Sequence, residues 1–248
     1  MINGLLAGMK QIGYRRCICS LAAMVVVFFF GSSEELFRTA SQDALPINYH
    51  QIFFKLAIET KAVASFIPIL AVLPFSGTYI DDLKTKFARF YLVRSGYFIY
   101  YESRLCICFL VGGVVVSLGG IVAFYSSVLL YLPKEEIVAY ETIIMQPPFQ
   151  IIILLFMTGG TWAVMGMTLS AIMESKYIAY VSPFVIYYLL VILSERYLTN
   201  IVFLYPPNWI IPDIWPYGAC GAAIFLLELT LILGIVFIFL TGKRLRRL

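Results

Sequence analysis

Long apolar runs, separated by short charged segments, dominate the chain. Six stretches carry no charge, at 17–33, 62–80, 105–133, 142–173, 177–194 and 214–242, except that Glu228 interrupts the last. A helix needs about 20 apolar residues to cross the ~30 Å hydrocarbon core of a bilayer, so each stretch reads as one membrane span. None has the strict alternation of a barrel strand. The fourth opens on Met145-Gln146-Pro147-Pro148, which reads as loop. Spans are expected at about 17–33, 60–77, 98–130, 149–173, 177–194 and 216–241.

The intervening segments have patterns of their own. Over 78–95, Ile80, Leu83, Phe87 and Phe90 recur at helical spacing, with Asp81, Lys84, Lys86 and Arg89 between them. Thr78 and Asp81 have capping-box spacing, the early aspartates suit a helix N-terminus, and Gly96 suits its end. The segment predicts a capped amphipathic helix of about four turns. Ile2, Leu5, Leu6, Met9 and Ile12 share one helical face, which predicts an interfacial helix over 1–14. Residues 34–61 read as a polar outer loop. Residues 195–215 hold Pro206, Pro207, Pro212, Trp209 and Trp215 beside Ile201-Val202-Phe203-Leu204. A Trp-rich apolar hairpin belongs at headgroup depth or folded back on the bundle, and its prolines divide it into two short helical pieces meeting at Pro206-Pro207.

Composition fixes the class. The chain is 61% hydrophobic and 13% charged, with a mean hydropathy of +0.90, against roughly 45–50% apolar and about 25% charged in soluble domains. A soluble enzyme, a nucleic-acid binder and a disordered chain are excluded, leaving an all-α polytopic membrane protein. The net charge of +4 is less informative than its placement. With six spans both termini share one side, which then holds thirteen of the 18 Lys and Arg residues and leaves five for the other. The positive-inside rule makes that side cytoplasmic. Lys243, Arg244, Arg246 and Arg247 form a topology anchor against anionic membrane lipid.

Candidate chemistry is sparse. No phosphate-cradling G-x-x-x-x-G-K-[ST] loop is present, and His50, the single histidine, cannot build a His-rich metal site. No catalytic, cofactor-binding or metal residue is expected, and the chain does not read as an enzyme. The C-x-C pairs Cys17/Cys19 and Cys106/Cys108 read as small apolar packing. Gly112, Gly113, Ser117, Gly119 and Gly120, and then Gly159, Gly160, Ala163, Gly166 and Ser170, predict close helix approach. Glu228, near the middle of a span, is a candidate functional residue, either hydrogen-bonded inside the bundle or lining a substrate path.

The run Pro68-Ile69-Leu70-Ala71-Val72-Leu73-Pro74-Phe75-Ser76-Gly77-Thr78-Tyr79-Ile80-Asp81-Asp82, followed by the basic segment from Lys84 to Arg94, resembles the ABC-2 type permease family, the membrane subunits of a class of ABC transporters. A span there ends in a Pro-(Phe/Tyr)-(Ser/Thr) turn, then an acidic residue and a basic amphipathic helix. The layout is also similar: an interfacial N-terminal helix, six spans, a coupling helix between spans two and three, and an extracellular hairpin before span six. The resemblance implies a type V exporter-like fold and a permease subunit in a bacterial cell membrane. The cargo would be a peptide, such as a bacteriocin, a lipid or an amphipathic toxin. ATP and Mg would be held by a separate ATP-binding subunit, and two permeases with two ATPases would complete the transporter. Ile80, Asp81, Leu83, Lys84, Phe87, Arg89 and Phe90 would dock on the ATPase. Two other classes stay open: a secondary carrier driven by an ion gradient, for which no internal repeat is evident, and a non-transporting scaffold or immunity protein.

Overall fold

The computed structural model describes residues 13–40, 45, 46, 48–85, 96–135, 148–198 and 200–245. Apart from Gly13 and Tyr14, the interfacial helix expected over 1–14 lies outside them. The described helices are α1 (Tyr14–Gly31), α2 (Ser33–Ala40), α3 (Tyr49–Glu59), α4 (Lys61–Val72), α5 (Thr78–Lys84), α6 (Tyr97–Tyr131), α7 (Pro148–Met173), α8 (Lys176–Arg196) and α9 (Ala219–Leu245). By length and composition, α1, α6, α7, α8 and α9 are able to cross a membrane. The chain is thus an all-α membrane protein.

The second apolar run forms a shorter helix than expected. α4 has 12 residues and stops at Val72, short of residue 77. α3, 11 residues long, precedes it in a segment read from the sequence as loop. The two meet at Thr60, an extended residue whose Oγ1 accepts a hydrogen bond from the Val63 amide at 3.5 Å. This chain of short helices runs antiparallel to α6 along most of its length. The Ser127 hydroxyl donates to the His50 carbonyl at 3.3 Å, and Phe54 lies edge-on to Phe124 at 5.2 Å. The Ala71 carbonyl faces Gly112, Ser76 meets Cys108 at 3.6 Å, and Asp82 pairs with Arg104.

α7 is the central helix, with most positions between Ile151 and Ala171 buried. Lipid is as apolar as leucine, so helix association in a membrane relies on close packing and on hydrogen bonds between helices. Both are visible. A Cβ on Gly112 of α6 would stand 2.4 Å from the Ala163 Cβ of α7, and one on Gly159 would stand 2.8 Å from the Gly112 carbonyl. On the other side of α7, the Thr161 and Thr230 hydroxyls meet at 2.9 Å and tie it to α9.

Residues 195–215 fold back on the bundle. They form three single turns of 3-10 helix, Val202–Leu204, Pro206–Trp209 and Pro212–Ile214, rather than two pieces, because Pro206 and Pro212 each start a turn. Trp209 is buried and stacks on Trp162 of α7 at 5.3 Å, with its Nε1 donating to the Phe203 carbonyl at 2.9 Å.

Candidate functional site

The segment following α4 builds a buried polar cluster. Residues 73–77 turn the chain, and Ser76 anchors that turn by donating to the Ala163 carbonyl of α7 at 3.0 Å. Gly77 passes close to α8: a Cβ there would lie 2.6 Å from the Tyr180 hydroxyl and 3.0 Å from Lys176 Cγ. α5 follows as a helix of seven residues. Thr78 lies inside it and donates to the Phe75 carbonyl at 2.8 Å, so the capping box expected from Thr78 and Asp81 does not form. The helix ends at Lys84, where the Thr85 hydroxyl donates back to the Asp81 carbonyl at 2.8 Å. Of the helix expected over 78–95, the described part is thus Thr78–Lys84, and residues 86–95 lie outside the described residues.

Side chains of α5 reach three long helices. Asp82 is buried and pairs with Arg104 of α6, and the Tyr100 hydroxyl donates to the same carboxylate oxygen at 3.0 Å. The Arg104 guanidinium lies over the rings of Phe75 and Tyr100, at 5.6 and 5.5 Å from their centroids. These faces supply cation–π attraction on a side where Arg104 Nη1 has no hydrogen-bond acceptor among the described residues. Asp81 accepts from Lys176 Nζ at the start of α8, at 2.5 Å. Tyr79 packs edge-on against Phe237 of α9 at 5.1 Å. With Ser76 on α7, the turn and α5 form a joint fixed to α6, α7, α8 and α9.

This arrangement redistributes the residues expected to dock on a partner. Ile80 is buried in the chain's own core and Leu83 packs against that core, so their apolar face is already covered. Asp82 is the buried anion of the joint, because the Arg104 charge compensates it there. Asp81 is half-exposed, and Lys84 and Thr85 are exposed. Phe87, Arg89 and Phe90 lie outside the described residues. Arg104 itself gave a sequence signal, as an isolated cation next to an apolar run, but its partner is distant in the chain. Glu228 is exposed on the outer side of α9, and no hydrogen bond or ion pair joins it to another described residue, so of its two expected placements a hydrogen bond inside the bundle is not seen among the described residues. Of the cysteines, Cys108 is buried, whereas Cys19, Cys106 and Cys220 are exposed.

A second polar cluster closes the far end of α6. Glu135 accepts from the Asn48 and His50 amides at 3.2 and 3.0 Å and meets His50 Nδ1 at 2.7 Å. It thereby caps the N-terminus of α3, whose own N-cap residue, Asn48, takes a left-handed φ of 65° and offers no side-chain cap. Burial works to raise the Glu135 carboxyl, but the His50 amide, the His50 ring and the Asn48 amide outweigh it and hold the carboxyl below its ordinary value. Nearby, Lys55 of α3 bonds Asp213 of the folded-back loop at 2.6 Å.

No group of three or more His, Cys, Asp or Glu side chains able to hold a metal ion occurs among the described residues. Both clusters join elements together. Comparison of the chain with family models, with curated proteins and with solved structures finds no match.

Proposed function

We propose that the chain is the membrane-spanning permease subunit of an ATP-binding cassette transporter of ABC-2 type, exporting a peptide, lipid or amphipathic toxin from a bacterial cell. A separate ATPase binds ATP and Mg, and a second permease subunit completes the membrane part. The observation that carries this reading is the seating of α5. An ATPase closing beneath the membrane must push on an element rigidly joined to the spans. The turn and α5 are held by Ser76, Asp82, Asp81 and Tyr79 to four long helices, which lets displacement of their outer end move the bundle as a unit.

In this reading α3 and α4 supply a sixth crossing, supported by their antiparallel course along α6, and both termini and α5 face the cytoplasm, as the distribution of Lys and Arg favours. Ile80 and Asp82 serve the joint. Lys84 and Thr85, with Phe87, Arg89 and Phe90 beyond them, serve the ATPase.

The test is site-specific photocrosslinking in native membranes. A photoreactive residue in place of Thr85 is expected to capture an ATPase of the ATP-binding cassette type. One in place of Tyr217, exposed near the opposite end of α9, is expected to capture none. Capture at neither position, or equally at both, contradicts the docking role.

A further inference from the structure

The outer face of α9 carries a carboxyl group where a lipid-facing helix should be wholly apolar. Ile224, Leu231, Ile235 and Phe239 are exposed along this face, and Glu228 lies among them. The opposite face, with Ala222, Leu226, Phe237 and Thr241, is buried against the bundle. Ionisable groups within spans almost always face a bundle interior or a water-filled cavity. Glu228 faces outward, near the middle of the 24-residue stretch able to cross the membrane. No described residue of its own chain meets it there.

We infer that this face is the contact between two copies of the chain, with Glu228 opposite Glu228 of the second copy. Three observations select that occupant. All copies insert with the same orientation, and a two-fold axis along the membrane normal brings one helix face against itself at equal depth. A carboxyl group is self-complementary, since in its protonated form it donates one hydrogen bond and accepts another. Ile224, Glu228, Leu231 and Ile235 also follow the alternating four- and three-residue spacing of a helix–helix seam, in which one polar position sets register and oligomeric state. Among the described residues, the exposed cations of the spanning helices, Arg15, Arg16 and Arg196, lie at the ends of α1 and α8, away from the mid-span depth of Glu228. The inference rests on the chain spanning a membrane and is independent of whether it moves a solute.

Cys220, exposed about two turns from Glu228 toward the start of α9, is a native reporter of this contact. The experiment uses the full chain in lipid bilayers, with Cys17, Cys19, Cys106 and Cys108 replaced by alanine, treated with a short bismaleimide. The expected result is a dimer linked through Cys220, retained in Glu228→Gln, whose amide still donates and accepts, and formed at least tenfold more slowly in Glu228→Leu. Leucine suits a lipid-exposed helix, so a loss of linkage there does not reflect misfolding. A cysteine at Val185, on the exposed face of α8, placed in the same background without Cys220, is expected to link poorly. Absence of the Cys220-linked dimer, equal rates in the wild type and Glu228→Leu, or equal linkage through residue 185 overturns the proposal. Failure of the ATPase to crosslink at Thr85 leaves all of these readouts intact.

Discussion

Arg104 and Asp82 are the most consequential side chains of the joint, because neither charge is tolerable without the other. Both are nearly inaccessible, at 3% and 4% exposure, so removal of one strands an ion where water cannot reach it. Loss of one partner of a buried pair typically costs about 3–5 kcal/mol, whereas replacement of both is often close to neutral. Arg104→Leu is therefore expected to lower stability in mixed-micelle unfolding by about that amount. Asp82→Asn added to it should restore most of the loss, since asparagine carries no charge and still accepts from the Tyr100 hydroxyl. A double variant as unstable as the single one would show that the pair is not what Arg104 contributes.

At the scale of elements, the small residues of α6 and α7 make a firm contact. Gly159 is needed for close approach, because a Cβ there would press on the Gly112 carbonyl and on Val116, each at 2.8 Å. Those neighbours are backbone and a stiff β-branched side chain, so the helices must separate. Gly159→Ala is expected to destabilise by about 1–3 kcal/mol, the usual cost of overpacking. Gly242→Ala, on α9 with nothing near its Cβ position, should change stability by less than about 0.5 kcal/mol. Equal effects in the same unfolding assay would contradict the packing account.

This contact was legible in advance, because glycine and alanine at helical spacing in an apolar run have few other uses. The fold-back of Trp209 was one of two placements left open, and it is the one that gives the ring apolar cover and its N–H an acceptor. α3 was missed because His50, Lys55 and Glu59 made 49–59 look like loop, although Tyr49, Phe53 and Ala57 recur every four residues and are buried. The break after Lys84 has no sequence mark, because the apolar periodicity continues through Phe87 and Phe90. The pairing of Asp82 with Arg104 joins residues distant in the chain, which no local pattern reports. The outward placement of Glu228 depends on how α9 packs on α7, a tertiary choice that an almost uniformly apolar helix leaves open.

The whole molecule has two ends that differ in construction. The Glu135 end is closed by a carboxylate that caps α3 and by a loop folded onto Trp162. The Asp82 end carries a turn and a short helix together fastened to four long helices, with Lys84 and Thr85 outward. This asymmetry fits a protein driven from one side, and the measurement that bears most directly on it is isolation from native membranes in mild detergent. The account predicts that an ATP-binding cassette ATPase co-isolates in equal amount with the chain, and that the complex hydrolyses ATP in a vanadate-sensitive manner. Recovery of the folded chain with no ATPase and no such hydrolysis would contradict it.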